Sequence, residues 1–180
     1  MRKVARVFLL VFAVSILANC EKDDICVGGD TPLLVIGFFD ATDETLEKQA
    51  ISLRIRALDV DEPINYDASI DTEVPPFHRD RSNTDSTAIP LKVNANSTAF
   101  QFILNSDDDD ETNVEIGNID TLTFNYTVVE DFISRGCGFV ANFDDLLFEL
   151  NTDTDNWIQN VIVEDTTIEN STAIHVKIYH

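Results

Sequence analysis

The 180-residue chain is short of positive charge, with 12 Lys and Arg against 33 Asp and Glu and a net charge of −21. Nucleic-acid binding needs cationic side chains that displace counterions from phosphates, so this balance argues against a nucleic-acid partner and against a polybasic binder of membrane surfaces. Histidine is scarce as well, with three in the chain. No H-E-x-x-H, G-x-S-x-G, P-loop or dinucleotide fingerprint occurs. A glycosidase-like pair of carboxylates cannot be singled out among so many acids, and the expectation is a protein that is not an enzyme. Internal repeats, a second composition zone and helical periodicity are also missing; only residues 42–50 could make a short helix, and they lack an apolar face. Against these absences stand 44% hydrophobic residues and 12 Phe, too many for an acidic disordered chain. The length suits one domain with one core.

The amino terminus carries the strongest pattern. Arg2, Lys3 and Arg6 form a positive region, and Val7 through Ala18 is an apolar run of twelve residues with no charge. That is the layout of a signal peptide; a membrane-spanning helix needs about 20 apolar residues. The run ends in Leu17-Ala18-Asn19-Cys20, which resembles the bacterial lipobox, whose cysteine receives diacylglycerol and becomes the first residue of the mature chain; Asn19 departs from the usual small residue. Removing residues 1–19 takes away three positive charges and no negative one, so −21 becomes −24. Residues 20–30 would then be a lipidated tether and residues 31–180 a single domain. Behind the cysteine, Lys22-Asp23-Asp24 resembles the export signal that some Gram-negative lipoproteins use to reach the outer face of the outer membrane; the alternative is a solvated charged tether.

The cysteines are Cys20, Cys26 and Cys137, an odd number that needs explaining in an exported protein. Lipidation of Cys20 would leave Cys26 and Cys137 as a pair in an oxidising compartment, and a loop that long could stabilise by at most about 4–5 kcal/mol. The alternative is a nucleophilic Cys137, for which only Arg135 stands nearby as a basic group.

Along the body the hydrophobic period is two. Ile51-Ser-Leu53-Arg-Ile55-Arg, Ile89-Pro-Leu91-Lys-Val93, Phe100-Gln-Phe102-Ile-Leu104, Leu122-Thr-Phe124-Asn-Tyr126-Thr-Val128, Leu146-Leu-Phe148-Glu-Leu150 and Ile174-His-Val176-Lys-Ile178 each read as a half-buried alternating strand. Residues 33–39 are apolar on both faces, as in a central strand, and residues 161–163 add a short candidate. About eight short strands without helices predict an all-β, antiparallel β-sandwich of immunoglobulin-like type following the signal peptide. In the 174–178 strand His175 falls on the outward phase, and His180 is the last residue.

Residues 59–87 form the longest strand-poor stretch and hold the basic cluster Phe77-His78-Arg79-Asp80-Arg81. It could hold an acidic or sugar ligand, or its arginines could simply neutralise nearby acids. The five acids of residues 107–111 cannot wrap calcium without a turn that brings alternate residues inward, and read as a charged turn that discourages edge pairing. Asn151, Asp153 and Asp155 mimic the first half of a calcium loop, but Ile162 stands where a closing Glu belongs. Calcium at these three residues remains the one cofactor to consider.

Four segments taken together resemble a known family: Cys20-Glu-Lys-Asp-Asp-Ile-Cys26; Thr31-Pro32-Leu-Leu-Val-Ile with Phe39-Asp40; Asp85-Ser86-Thr-Ala-Ile89-Pro90-Leu91; and Ser134-Arg-Gly-Cys137-Gly138-Phe139. The chain resembles small bacterial lipoproteins known only as a domain of unknown function. The resemblance implies an exported, lipid-anchored state and a relation between Cys26 and Cys137, and it brings no ligand or catalytic residue. The expected protein is therefore an outer-membrane lipoprotein, surface or periplasmic, that binds or assembles with a partner such as an outer-membrane β-barrel. The alternative is a glycan- or calcium-binding domain that uses Trp157 and the turn at Asn151, Asp153 and Asp155.

Overall fold

The computed structural model describes residues 29–60, 62–65 and 77–180. Cys20, Lys22, Asp23, Asp24 and Cys26 lie outside them. Nine strands form, and no helix among the described residues. They are β1 (Leu34–Phe39), β2 (Ala50–Ala57), β3 (Ser82–Thr84), β4 (Ser86–Ile89), β5 (Ser97–Leu104), β6 (Asn118–Ser134), β7 (Gly138–Asn151), β8 (Asn160–Val163) and β9 (Val176–Tyr179). The described residues divide into two units: a body of Asp30–Asp131 with Val140–His180, and a second unit that holds Phe132–Phe139.

The body is the expected β-sandwich. One sheet runs β4-β1-β9-β8 and the other β3-β2-β5-β6-β7. β1 with β4, β2 with β3 and β5, β5 with β6 and β8 with β9 pair antiparallel, whereas β1 and β9 are parallel, with Ile36 beside Val176 and Phe38 beside Ile178. The core collects the inward residues of both sheets. Leu34, Ile36, Phe38, Ile89, Val176 and Ile178 of the first pack with Leu53, Ile55, Phe100, Phe102, Leu122, Phe124 and Phe143 of the second. All six residues of β1 are buried, which matches its two apolar faces and its place inside the sheet.

Several departures from the sequence pattern have local causes. In β2 the register against β3 shifts between Ala50 and Leu53, and Ser52 takes a left-handed φ of 45°. This bulge turns Ile51 outward, 45% exposed, and gives its place in the core to Ala50. The strand anticipated at residues 89–93 ends at Ile89 instead, and β4 occupies the residues before it; Pro90 has no N–H with which to extend a ladder. Residues 59–87 are less bare than expected, since they contain β3 and the first half of β4. Residues 42–50, the one stretch that could have made a short helix, form turns in which Asp40 and Asp43 side chains accept hydrogen bonds from Thr42 and Thr45.

The outward phase expected for His175 is wrong. The residue precedes β9, and its ring is 1% exposed. Its backbone N–H donates to Val35 O at 2.9 Å, while its Nδ1 accepts from Val35 N at 3.0 Å. Burial pushes its pKa down, which keeps Nδ1 free as an acceptor. His180 is buried too, edge-on to Trp157 at 5.4 Å and to Phe38 at 6.2 Å.

Candidate functional site

A concavity of the body lies where β2 ends and the chain passes Pro90. It is a cavity of about 320 Å³ walled by Ala57, Val60, Pro63, Ile64, Leu91 and Phe100. Each wall has a local cause. Past Ala57 the chain turns, with Val60 N donating to Ala57 O at 3.1 Å, and Ile64 N then reaches back to Ile55 O at 2.8 Å. Opposite, Pro90 stops β4, so Leu91 leaves the ladder and turns its side chain into the body, 6% exposed. Phe100 arrives from β5.

Three polar groups sit beside this apolar wall. Thr98 Oγ1 accepts from Lys92 N at 3.1 Å and lies 2.6 Å from Tyr126 Oη, and the Tyr126 hydroxyl donates to Lys92 O at 2.9 Å. This closed set fixes the Lys92 backbone, and burial pushes the Tyr126 pKa up, so its hydroxyl stays a donor. Outward, Lys92 Nζ meets Asp59 Oδ2 at 2.6 Å, and that hydrogen bond holds the Asp59 carboxyl below its usual range. The cavity is thus largely apolar and carries Lys92 with two acids, Asp59 and Glu62, in its lining, a composition suited to holding the apolar end of a ligand.

The Phe77–Arg81 cluster performs the neutralising role. Arg54 Nε and Nη2 donate to the two carboxylate oxygens of Asp80 at 2.9 and 2.8 Å, and Arg54 Nη1 donates to Glu115 Oε2 at 2.9 Å. Arg81 pairs with Asp108 at 2.6 Å and donates from Nε to Ser106 Oγ at 3.1 Å. The acidic run at 107–111 is therefore partly neutralised: Asp108 belongs to this network, and Asp109 Oδ1 accepts from Glu111 N and Thr112 N. His78 is buried, and neither ring nitrogen has a hydrogen-bond partner among the described residues.

Asn151, Asp153 and Asp155 share one turn. Asp153 N donates to Asn156 Oδ1 at 2.7 Å, Asp155 N donates to Asp153 Oδ1 at 3.1 Å, and Asn156 Nδ2 donates to Asn151 O at 3.2 Å. Among the described residues no group of three or more His, Cys, Asp or Glu is placed to hold a metal ion. Trp157, anticipated as a sugar platform, is 8% exposed, and its Nε1 donates to Phe102 O at 3.0 Å. Its ring faces the core, anchored with Ile158, whose N–H donates to the buried Asp120 carboxylate at 2.7 Å.

In the second unit, Cys137 sits between β6 and β7, its N–H donates to Ser134 Oγ at 3.0 Å, and it is not free. Around it Phe132, Ile133 and Phe139 are exposed by 59%, 43% and 66%, with the two phenyl rings edge-on at 5.3 Å. Sequence reasoning missed both this cluster and the cavity. The available signals were an apolar turn free of acids and a proline interrupting an alternating run.

The sequence model of a family of unknown function, DUF6452, matches residues 52–180. No curated protein and no solved structure matches the chain.

Proposed function

The chain belongs to this family of unknown function, DUF6452, and we propose that it is a lipid-anchored outer-membrane protein whose β-sandwich acts by binding. The cavity beside Leu91 and Phe100 is its recognition site. One observation carries the binding reading: a largely apolar cavity of about 320 Å³ whose charged lining is the Lys92–Asp59 ion pair and Glu62. A ligand would place an apolar group against Ala57, Ile64 and Phe100 and leave its polar end beside that pair. The size is near the lower end of small-molecule sites, which favours a short acyl or aromatic group over an extended ligand.

The anchoring part rests on the charged start, the apolar run and Cys20. It is supported by Cys137, which is not a free thiol. With Cys20 acylated, Cys26 is the partner left for Cys137. A soluble body on a multiply acylated cysteine would be held stably at the bilayer, since each buried CH₂ contributes about 0.8 kcal/mol. A neighbouring envelope protein, such as a β-barrel, is the natural bearer of the bound group.

Two measurements test these parts separately. Intact mass of detergent-extracted protein should match a chain that begins at Cys20, with three acyl chains and two hydrogens fewer for a Cys26–Cys137 bond; a mass beginning at Met1 overturns the anchor. For the cavity, short-chain and aromatic amphiphiles should raise the melting temperature of the wild-type protein and not of Ala57→Leu, which fills the space. Equal shifts in both, or none in the wild type, remove the cavity as the recognition site. Protease added to whole cells then reports the face, because cleavage of the body requires surface exposure.

A further inference from the structure

We infer that the β6–β7 turn is a membrane contact in its own right, with Phe132, Ile133 and Phe139 seated in the headgroup region of the bilayer to which the chain is tethered. The inference rests on the anchored reading above and specifies what the anchored protein touches. Its first support is composition. Residues 132–139 read Phe-Ile-Ser-Arg-Gly-Cys-Gly-Phe, with no acid and one cation, in a chain whose net charge is −21. Immediately before them come Glu130 and Asp131, both exposed, so the change from acidic surface to apolar cluster is abrupt. Its second support is exposure: three large apolar side chains of this turn are exposed, and the two phenyl rings meet edge-on. Isolated exposed apolar residues are ordinary, but a cluster rimmed by charge marks a contact surface.

The length of the tether chooses the occupant. Cys20 and Cys26 are six residues apart, and six residues span at most about 22 Å when fully extended. A disulfide adds about 6 Å between Cα atoms. With Cys26 bonded to Cys137, the turn can then be no farther than about 28 Å from the acylated residue, less than the thickness of one hydrocarbon core. An apolar cluster held that near the interface gains by burying its rings among headgroups, and Arg135 is placed to meet lipid phosphates. The acyl chains would fix the protein to the membrane, and the turn would fix its orientation there.

The test uses the full acylated protein in phosphatidylethanolamine–phosphatidylglycerol vesicles, with Phe139→Trp as the probe and Ile133→Trp as an independent second. Trp157 is buried in the body and serves as the internal reference. With acyl-brominated lipids the added indole should lose emission and resist aqueous iodide, while Trp157 emission should not change. Unquenched emission that iodide removes would leave the turn in water and overturn the inference. Protection from iodide without quenching by bromine would assign the cluster to a protein contact, and would overturn it as well. The acyl mass is read on the same sample, so a missing anchor and a solvent-facing turn are distinct failures.

Discussion

Replacing His78 by leucine should flatten part of the acid sensitivity of the fold. The imidazole is 1% exposed, and neither nitrogen has a hydrogen-bond partner among the described residues. Burial pushes its pKa down from 6.5 to about 4, against a smaller upward pull from Asp80. Between those values the unfolded chain takes up a proton that the folded chain refuses, so stability falls as the pH falls. The contribution is intact above about pH 6.5 and is lost progressively toward pH 4. A shift of this size gives about 2 kcal/mol between pH 6.5 and 4.5, and about 3 kcal/mol in all. Leucine has no proton to bind and leaves no unpaired polar atom in the core, so His78→Leu should equal or exceed the wild type at pH 7. Urea unfolding followed by fluorescence of the buried Trp157 at pH 7.5, 6.5, 5.5 and 4.5 reads the difference. His175 and His180 are shifted in the same direction by burial, and the carboxylates titrate in both proteins, so only the difference between the two curves reports on His78. Parallel curves over this range would refute the argument and would mean that the ring is solvated or paired in solution.

Arg54→Ala leaves Asp80 and Glu115, which are 18% and 12% exposed, without their main partner. It should cost about 2–3 kcal/mol in urea unfolding, between the values for surface and fully buried pairs. Gly117→Ala should cost about 1–3 kcal/mol, because the added methyl would stand 2.9 Å from Leu104 O and 3.0 Å from Ser106 Cα, both backbone atoms. Gly37→Ala should cost less, since its closest contacts are the tips of Ile174 and Phe39, and thermal melting of the two variants would rank them. Trp157→Phe should lose about 1–2 kcal/mol through the orphaned Phe102 carbonyl, measured by circular dichroism because the fluorophore is gone.

Alternation alone was enough to identify the sandwich: wherever Phe, Leu and Ile recur at every second position, one face must be buried, and β5 and β6 follow that rule from Phe100 to Tyr126. It failed where one extra residue changes the phase. The bulge at Ile51 and Ser52 has no signature stronger than its neighbours', and it decides which of Ala50 and Ile51 enters the core. His175 was misplaced for a related reason. It lies just outside β9, and its orientation is set by Val35, 140 residues away in sequence. Trp157 and Asp120 were likewise assigned by distant partners.

By itself the sequence determined the acidic character, the all-β class, the anchor pattern and the family resemblance, because these depend on composition, on period and on short contiguous motifs. The cavity, the buried histidines and the pairing of Arg54 with Asp80 and Glu115 were decided only by tertiary structure. Each needs residues brought together from separate strands, and one-dimensional spacing carries no record of which turns bring them there. The apolar turn around Cys137 stands between the two. Its residues are contiguous and legible, but their exposure, which gives them meaning, appears only once β6 and β7 are folded against each other.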